Sequence, residues 1–260
     1  MTIGAIIQYI SQRDMSEDWL STRQAAERLG VSEASVRRWS DRGLLPVQRV
    51  GKRLERRFKA EHLERFAVPT RPGPVVAADR PRVALGAQMV DVATHLATLY
   101  DSDSARTRLT APFLADGIRA GQPSFLMAHG EDLASYMEAL DAMPGVDVDA
   151  AIASGLLTIA AAPGSTTREA LDYFEKVFWS AVDSKATVVR VVGEMASVRD
   201  SFASERELLN FEAMFNTVGH RFPCVALCQY DARKFSGQAV LAALRAHPDI
   251  SEVSMGLLLK

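Results

Sequence analysis

The chain holds only two cysteines in 260 residues, Cys224 and Cys228. Two thiols cannot build a disulfide framework, so a reducing cytosol is the expected setting. No uninterrupted apolar run of about 18 residues occurs, which argues against a transmembrane helix. The apolar stretch at residues 4–10 is too short and too polar for a signal peptide, and no basic residue precedes it. Phosphate-binding fingerprints are missing too. Neither G-x-x-x-x-G-K-[ST] nor G-x-G-x-x-G is present, so nucleotide hydrolysis is not expected. No serine or cysteine sits in a nucleophile-elbow pattern, and there is no internal repeat or low-complexity tract. With 48% hydrophobic and 24% charged residues, what remains is an ordinary soluble globular chain, with no catalytic residue and no cofactor assigned.

What is present is charge asymmetry. Residues 1–70 carry 13 Lys/Arg against 9 Asp/Glu, whereas residues 71–260 carry 17 against 23. Between Arg37 and Lys59 nine basic residues face only Asp41 and Glu55. Such a local excess is the footprint of a polyanion-binding face.

The same stretch has a readable layout. Ser21 and Gln24 form a capping-box pair ahead of Ala25, Ala26 and Leu29. Gly30 reads as a left-handed helix stop. Ser32 caps a second helix over residues 33–42 that buries Val36 and Trp39 and stops at Gly43. Helix, tight turn and helix within about 22 residues is the helix-turn-helix layout. Residues 47–50, 51–52 and 53–58 follow as strand, turn and strand, a wing, and residues 60–66 as a closing helix. Ser35, Arg37 and Arg38 are expected on the outward face of the second helix, with Ser32 at its start; Ser35 and Arg38 are the base-reading candidates. Arg49, Lys52, Arg53, Arg56 and Arg57 suit phosphates of double-stranded DNA. The expected boundaries are an arm at 1–19, the head at 20–68, a stiff proline linker at 69–81 and a second domain at 82–260.

Beyond residue 82, helical patterns alternate with continuous apolar runs. Helices are expected over 88–100, 104–120, 131–142, 148–154, 167–182, 205–218 and 238–246. Strands are expected over 123–128, 156–161, 187–192 and 224–228, with an edge strand at 254–259. This predicts a mostly parallel sheet covered on both sides, a three-layer α/β domain. Ligands of such sheets bind at the carboxyl ends of strands, here marked by His129, Glu131, Glu194, Gln229, Tyr230 and Asp231. On a helix over 88–100, His95 would lie at the rim of the apolar arc, held by Asp91. Cys224 and Cys228 would share one strand face as small core residues. Metal binding by this pair with His220 is disfavoured by strand geometry and the lack of C-x-x-C spacing. The aromatics of 167–182 read as core.

Two resemblances sharpen this. Ala25-Ala26, Leu29-Gly30-Val31, Ser32, Ser35-Val36-Arg37, Trp39 and Gly43-Leu44-Leu45-Pro46 resemble the excisionase/MerR group of winged helices. MerR proteins continue into a dimerising coiled coil; this chain turns to prolines, so a homodimer is expected through the C-terminal domain. Residues from about 86 to 248 resemble the MEDS sensory domain of DcmR-type regulators. The carriers are His95-Leu-Ala-Thr-Leu-Tyr100, Pro112-Phe113-Leu114 with Gly117, Gly193-Glu194-Met195, Glu212 within residues 210–216, Cys228-Gln-Tyr230-Asp231 and His247-Pro248. This resemblance implies a RecA/KaiC-like α/β fold without the P-loop, sensing of small hydrocarbon derivatives, and roles for His95 and Tyr100. The expected effector-binding set is His95, Tyr100, His129, Glu194, Cys228, Tyr230 and Asp231. The function expected is a one-component, DNA-binding transcription regulator that is cytoplasmic, with no membrane partner. The alternatives are a redox or metal sensor using Cys224 and Cys228, and an enzyme with a DNA-binding appendage.

Overall fold

The computed structural model describes residues 19–67, 81–160 and 163–252. The expected arm, proline linker and edge strand at 254–259 therefore lie outside the described residues, apart from Trp19 and Pro81. The chain divides into two compact units, 1–71 and 72–260.

In the first unit, Ser21 caps α1 (Thr22–Leu29) through a full capping box with Gln24, and Gly30 closes it at φ 65°. Ser32 caps α2 (Glu33–Asp41). Strands β2 (Gln48–Val50) and β3 (Glu55–Lys59) form the wing, and α3 (Ala60–Ala67) closes the unit. The sequence reading missed β1 (Trp19–Ser21), which pairs antiparallel with β3 and places Leu20 opposite Phe58. A sheet of order β1-β3-β2 results. Ala25, Ala26, Leu29, Val31, Val36, Trp39, Leu45, Phe58 and Leu63 are buried together as the core of this unit. At roughly 25 cal/mol per Å² of apolar surface, the Trp39 ring, tilted at 47° to Phe66 with centroids 4.9 Å apart, is among its largest single contributions.

The second unit opens with a hairpin, β4 (Arg82–Leu85) and β5 (Gln88–Asp91). Among the described residues its sheet has five strands, all parallel: β6 (Thr94–Tyr100), β7 (Ser124–Met127), β8 (Leu157–Ile159), β9 (Val189–Glu194) and β10 (Cys224–Asp231). They lie in the order β6-β10-β9-β7-β8. Around them run α4 (Asp103–Arg108), α5 (Thr110–Arg119), α6 (Gly130–Asp141), α7 (Val148–Ala153), α8 (Thr167–Asp183), α9 (Met195–Val198), α10 (Glu205–Gly219) and α11 (Gly237–Ala246). The result is a three-layer α/β domain.

The expected helix over 88–100 is wrong. Met89, Val92, Leu96 and Tyr100 match helical spacing by coincidence; residues 94–100 are buried on both faces except for Leu99, as in a strand of a sheet covered on both sides. Ala93 turns the chain from hairpin to sheet at φ 63°, and its amide donates to the Cys224 carbonyl at 2.7 Å. The expected helix over 104–120 is two helices: Pro112 falls in the first turn of α5, where its missing N–H costs nothing.

Alternation along β10 sorts the core. Val225, Leu227, Gln229 and Asp231 point to one face; Cys224, Ala226, Cys228 and Tyr230 point to the other. The first face shares the core of Leu96, Leu114, Leu126, Tyr136, Leu140 and Val192. Beyond the second, Phe174, Phe178, Phe211, Phe215 and Phe222 form a ring cluster from α8, α10 and the turn after α10. The aromatics of α8 are core, as expected.

Candidate DNA-contacting and sensory sites

On α2, burial of Val36 and Trp39 leaves Arg37 exposed and Arg38 half-buried. Ser35, expected outward, is buried at 1% exposure, and Ser32 Oγ caps its amide at 3.1 Å. The correction follows from helical phase: Ser35 adjoins Val36 and lies four residues before Trp39, on the side turned to α1. Arg37 reaches back to Glu33 as an i,i+4 pair.

The wing cations divide into two groups. Lys52 and Arg53 stand exposed on the turn, which Gly51 makes feasible with φ 72°. Arg49 and Arg56 instead converge on Asp41, at 3.0 and 2.7 Å. Asp41 ends α2, where the helix dipole disfavours an anion, and the Arg56 hydrogen bond holds its carboxyl below the usual range. Arg57 pairs with Glu55 at 3.0 Å. Arg49, Arg56 and Arg57 thus lock the wing to the helix or to itself, whereas Lys52 and Arg53 are presented on the turn.

In the second unit the chain leaves β7 toward one edge of the sheet and β9 toward the other. The carboxyl ends of these neighbours therefore form the topological crevice where open α/β sheets place ligands. Glu194 ends β9 there, fully buried. Tyr100 Oη donates to its Oε1 at 2.9 Å and Tyr136 Oη to its Oε2 at 3.3 Å. Arg106 Nε donates to Tyr100 Oη at 3.1 Å, while its Nη2 meets Asp132 at 2.9 Å. Gln229 donates to the Arg106 carbonyl at 2.8 Å and to Tyr136 Oη. Burial pushes the Glu194 carboxyl up to about 7, with Asp132 adding to the rise and Tyr100 opposing it. Burial works against the Arg106 charge, but Tyr100, Asp132 and Glu194 outweigh it. The network is thus a carboxyl poised to change charge near neutrality, between two phenols and a guanidinium.

The opposite face carries a second buried cluster. His95 Nε2 lies 3.2 Å from Cys228 Sγ and 3.5 Å from Glu212 Oε2; His247 Nε2 lies 2.9 Å from the same oxygen. Burial, then the neighbouring His247, drops His95 to about 4, so its imidazole is neutral. Burial also pushes the Cys228 thiol well up. Tyr230 points to this face, with no hydrogen bond at its hydroxyl.

A helix-turn-helix domain model matches residues 19–67. The model described as "MEDS: MEthanogen/methylotroph, DcmR Sensory domain" matches residues 94–248, over half the chain. The chain belongs to the MEDS family. It is 38% identical over 244 residues to the transcriptional repressor DcmR of Methylorubrum extorquens, covering 90% of this chain and 91% of that one. Among solved structures it is similar to the flagellar accessory protein FlaH of Methanocaldococcus jannaschii, with TM-score 0.41 and 10% identity, over 65% of this chain and 78% of that one. The MEDS match begins on the first residue of β6 and ends just past His247, so it spans the parallel sheet and both buried clusters.

Within the MEDS domain, the seven residues expected at one effector site are divided. Tyr100 and Glu194 meet on one face; His95, Cys228 and Tyr230 lie on the other. Asp231 is tied to Arg233 at 2.8 Å, and His129 is exposed, exchanging backbone hydrogen bonds with Ser197. The expected rim pairing of His95 with Asp91 is wrong: His95 is at 1% exposure and Asp91 pairs with Arg82 at 2.9 Å. The weighed trio of Cys224, Cys228 and His220 does not assemble: Cys224 Sγ donates to the Gly219 carbonyl and His220 bonds Asp249. Sequence reasoning missed Arg106, Tyr136 and Asp132, which sit on helices as ordinary amphipathic residues. Only the strand register brings Glu194 to them.

Among the described residues, no helix is long and apolar enough to cross a membrane.

Proposed function

We propose that this chain is a one-component transcription regulator. Its head holds an operator in double-stranded DNA, and its MEDS domain binds a small organic, hydrocarbon-derived effector and pairs two copies of the chain. The observation that carries this reading is the exposure of basic side chains on both α2, at Arg37, and the wing turn, at Lys52 and Arg53, in a chain whose remainder matches a sensory domain. A helix enters the major groove while a wing tip meets phosphate or the minor groove. The repressor named at 38% identity supports repression as the mode. We place the polar end of the effector at the Glu194, Tyr100, Arg106 network, because the crevice between β7 and β9 is where such sheets bind ligands. An effector acts as a switch only by binding the DNA-competent and DNA-released states unequally.

Fluorescence anisotropy with the full chain and a panel of genomic fragments tests the reading. One or a few fragments should bind well above the rest, with affinity falling steeply as salt rises. Equal, weak binding to every fragment would refute it.

A further inference from the structure

His95 on β6, Glu212 on α10, Cys228 on β10 and His247 just after α11 come from four separate segments, yet their donor atoms all lie within 4.8 Å of one another. The closest pairs, at 2.9, 3.2 and 3.5 Å, bracket the roughly 3.4 Å edge expected of a tetrahedron with metal–ligand bonds of about 2.0–2.3 Å.

The imidazoles are set up as ligands. His95 Nδ1 lies 3.1 Å from Asn216 Oδ1, and the Asn216 amide is oriented by donating to the Ala246 carbonyl at 2.6 Å. His247 Nδ1 lies 2.7 Å from the Ala243 carbonyl. Each Nδ1 therefore carries the proton and each Nε2 turns a lone pair inward, the arrangement that outer hydrogen bonds impose on metal-bound histidines. Glu212 and His247 are both at 0% exposure. Neither Glu212 oxygen nor His247 Nε2 has an aligned hydrogen bond, although the two side chains are 2.9 Å apart.

We propose that His95, Glu212, Cys228 and His247 form a binding site for one divalent cation of the zinc class. Two nitrogens, one sulfur and one oxygen are a donor set that Zn²⁺ accepts. One thiolate and one carboxylate also neutralise a dication, which removes the cost of an isolated buried carboxylate. Binding forms the metal–sulfur bond and releases the Cys228 proton to solvent. The ion would tie strand β6, its neighbour β10, α10 and the segment after α11 to one another.

Cobalt substitution tests this on the full-length chain. Chelator-stripped protein titrated with Co²⁺ should take up one ion per chain, with the visible bands of tetrahedral cobalt and a near-ultraviolet sulfur-to-cobalt band. Zn²⁺ should displace it and raise the melting temperature of the wild-type protein. Cys228→Ala should lose the sulfur band, whereas Cys224→Ala should keep it. His247→Gln, which retains a hydrogen-bonding side chain, should weaken uptake at least tenfold and serves if Cys228→Ala does not fold. Wild-type protein that takes up neither Co²⁺ nor Zn²⁺ overturns the proposal, leaving the cluster a proton-shared network. A sulfur band that survives in Cys228→Ala overturns it equally.

Discussion

Glu194 links burial to proton binding. Its carboxyl titrates near 7 in the folded protein against an ordinary 4.5. Between those values the folded chain holds a proton that the unfolded chain has lost, so this group makes stability fall as pH rises from about 4.5 to 7. The full effect, reached above pH 7, is about 3 kcal/mol at 1.36 kcal/mol per unit. Glu194→Gln cannot ionise, so its stability relative to wild type should climb across that range; chemical denaturation at pH 5 and pH 8 would show it. An unchanged difference at the two pH values would mean Glu194 does not titrate there. At Gly117 the constraint is space. A Cβ would meet Arg190 Cδ and Ser124 Oγ at 2.6 Å, and Arg190 is fixed by its 2.8 Å bonds to Gln122 and the Phe113 carbonyl. Gly117→Ala should cost about 1–3 kcal/mol by overpacking, read as a lower denaturation midpoint.

At the scale of elements, α2 and the wing answer to different residues. Trp39 anchors α2 against Phe66, and truncation to alanine should cost about 3–5 kcal/mol, enough to unfold so small a unit. Loss of one calorimetric transition, with the sensory domain still melting, would report it. Lys52→Ala with Arg53→Ala should leave melting unchanged, weaken DNA binding and lower the salt slope by about 1–2. Arg56→Ala should behave differently, because Arg56 holds Asp41: the wing should loosen, and binding should fall without a matching change in salt slope. Equal salt slopes for the two variants would contradict this division of the basic residues.

For the whole molecule, the sequence between the two units is rich in proline, and the regulator proposed above pairs through its MEDS domain. Light scattering on the full chain should give twice the 28.4 kDa chain mass, with or without the substitutions at Lys52 and Arg53. A monomer that binds its operator as tightly would remove the need for a two-fold site.

What the sequence by itself determined was whatever is written in local spacing. The capping box at Ser21 and Gln24, the stop at Gly30, the two-helix layout and the basic wing depend on neighbours within a few residues, and periodicity records those. The alternation of helices with apolar runs likewise announced a covered parallel sheet. Only tertiary structure decided where His95 and Tyr100 would go, because a fully buried run has no wet face to reveal its period, and helix and strand then look alike. Strand alternation and register then separated residues that sequence order had grouped as one site. Glu194 was sent to Tyr136 and Arg106, and Cys228 to His95, Glu212 and His247. Such meetings join different segments of the chain, from Tyr136 and Glu194, 58 residues apart, to His95 and Cys228, 133 apart, and no local pattern encodes them.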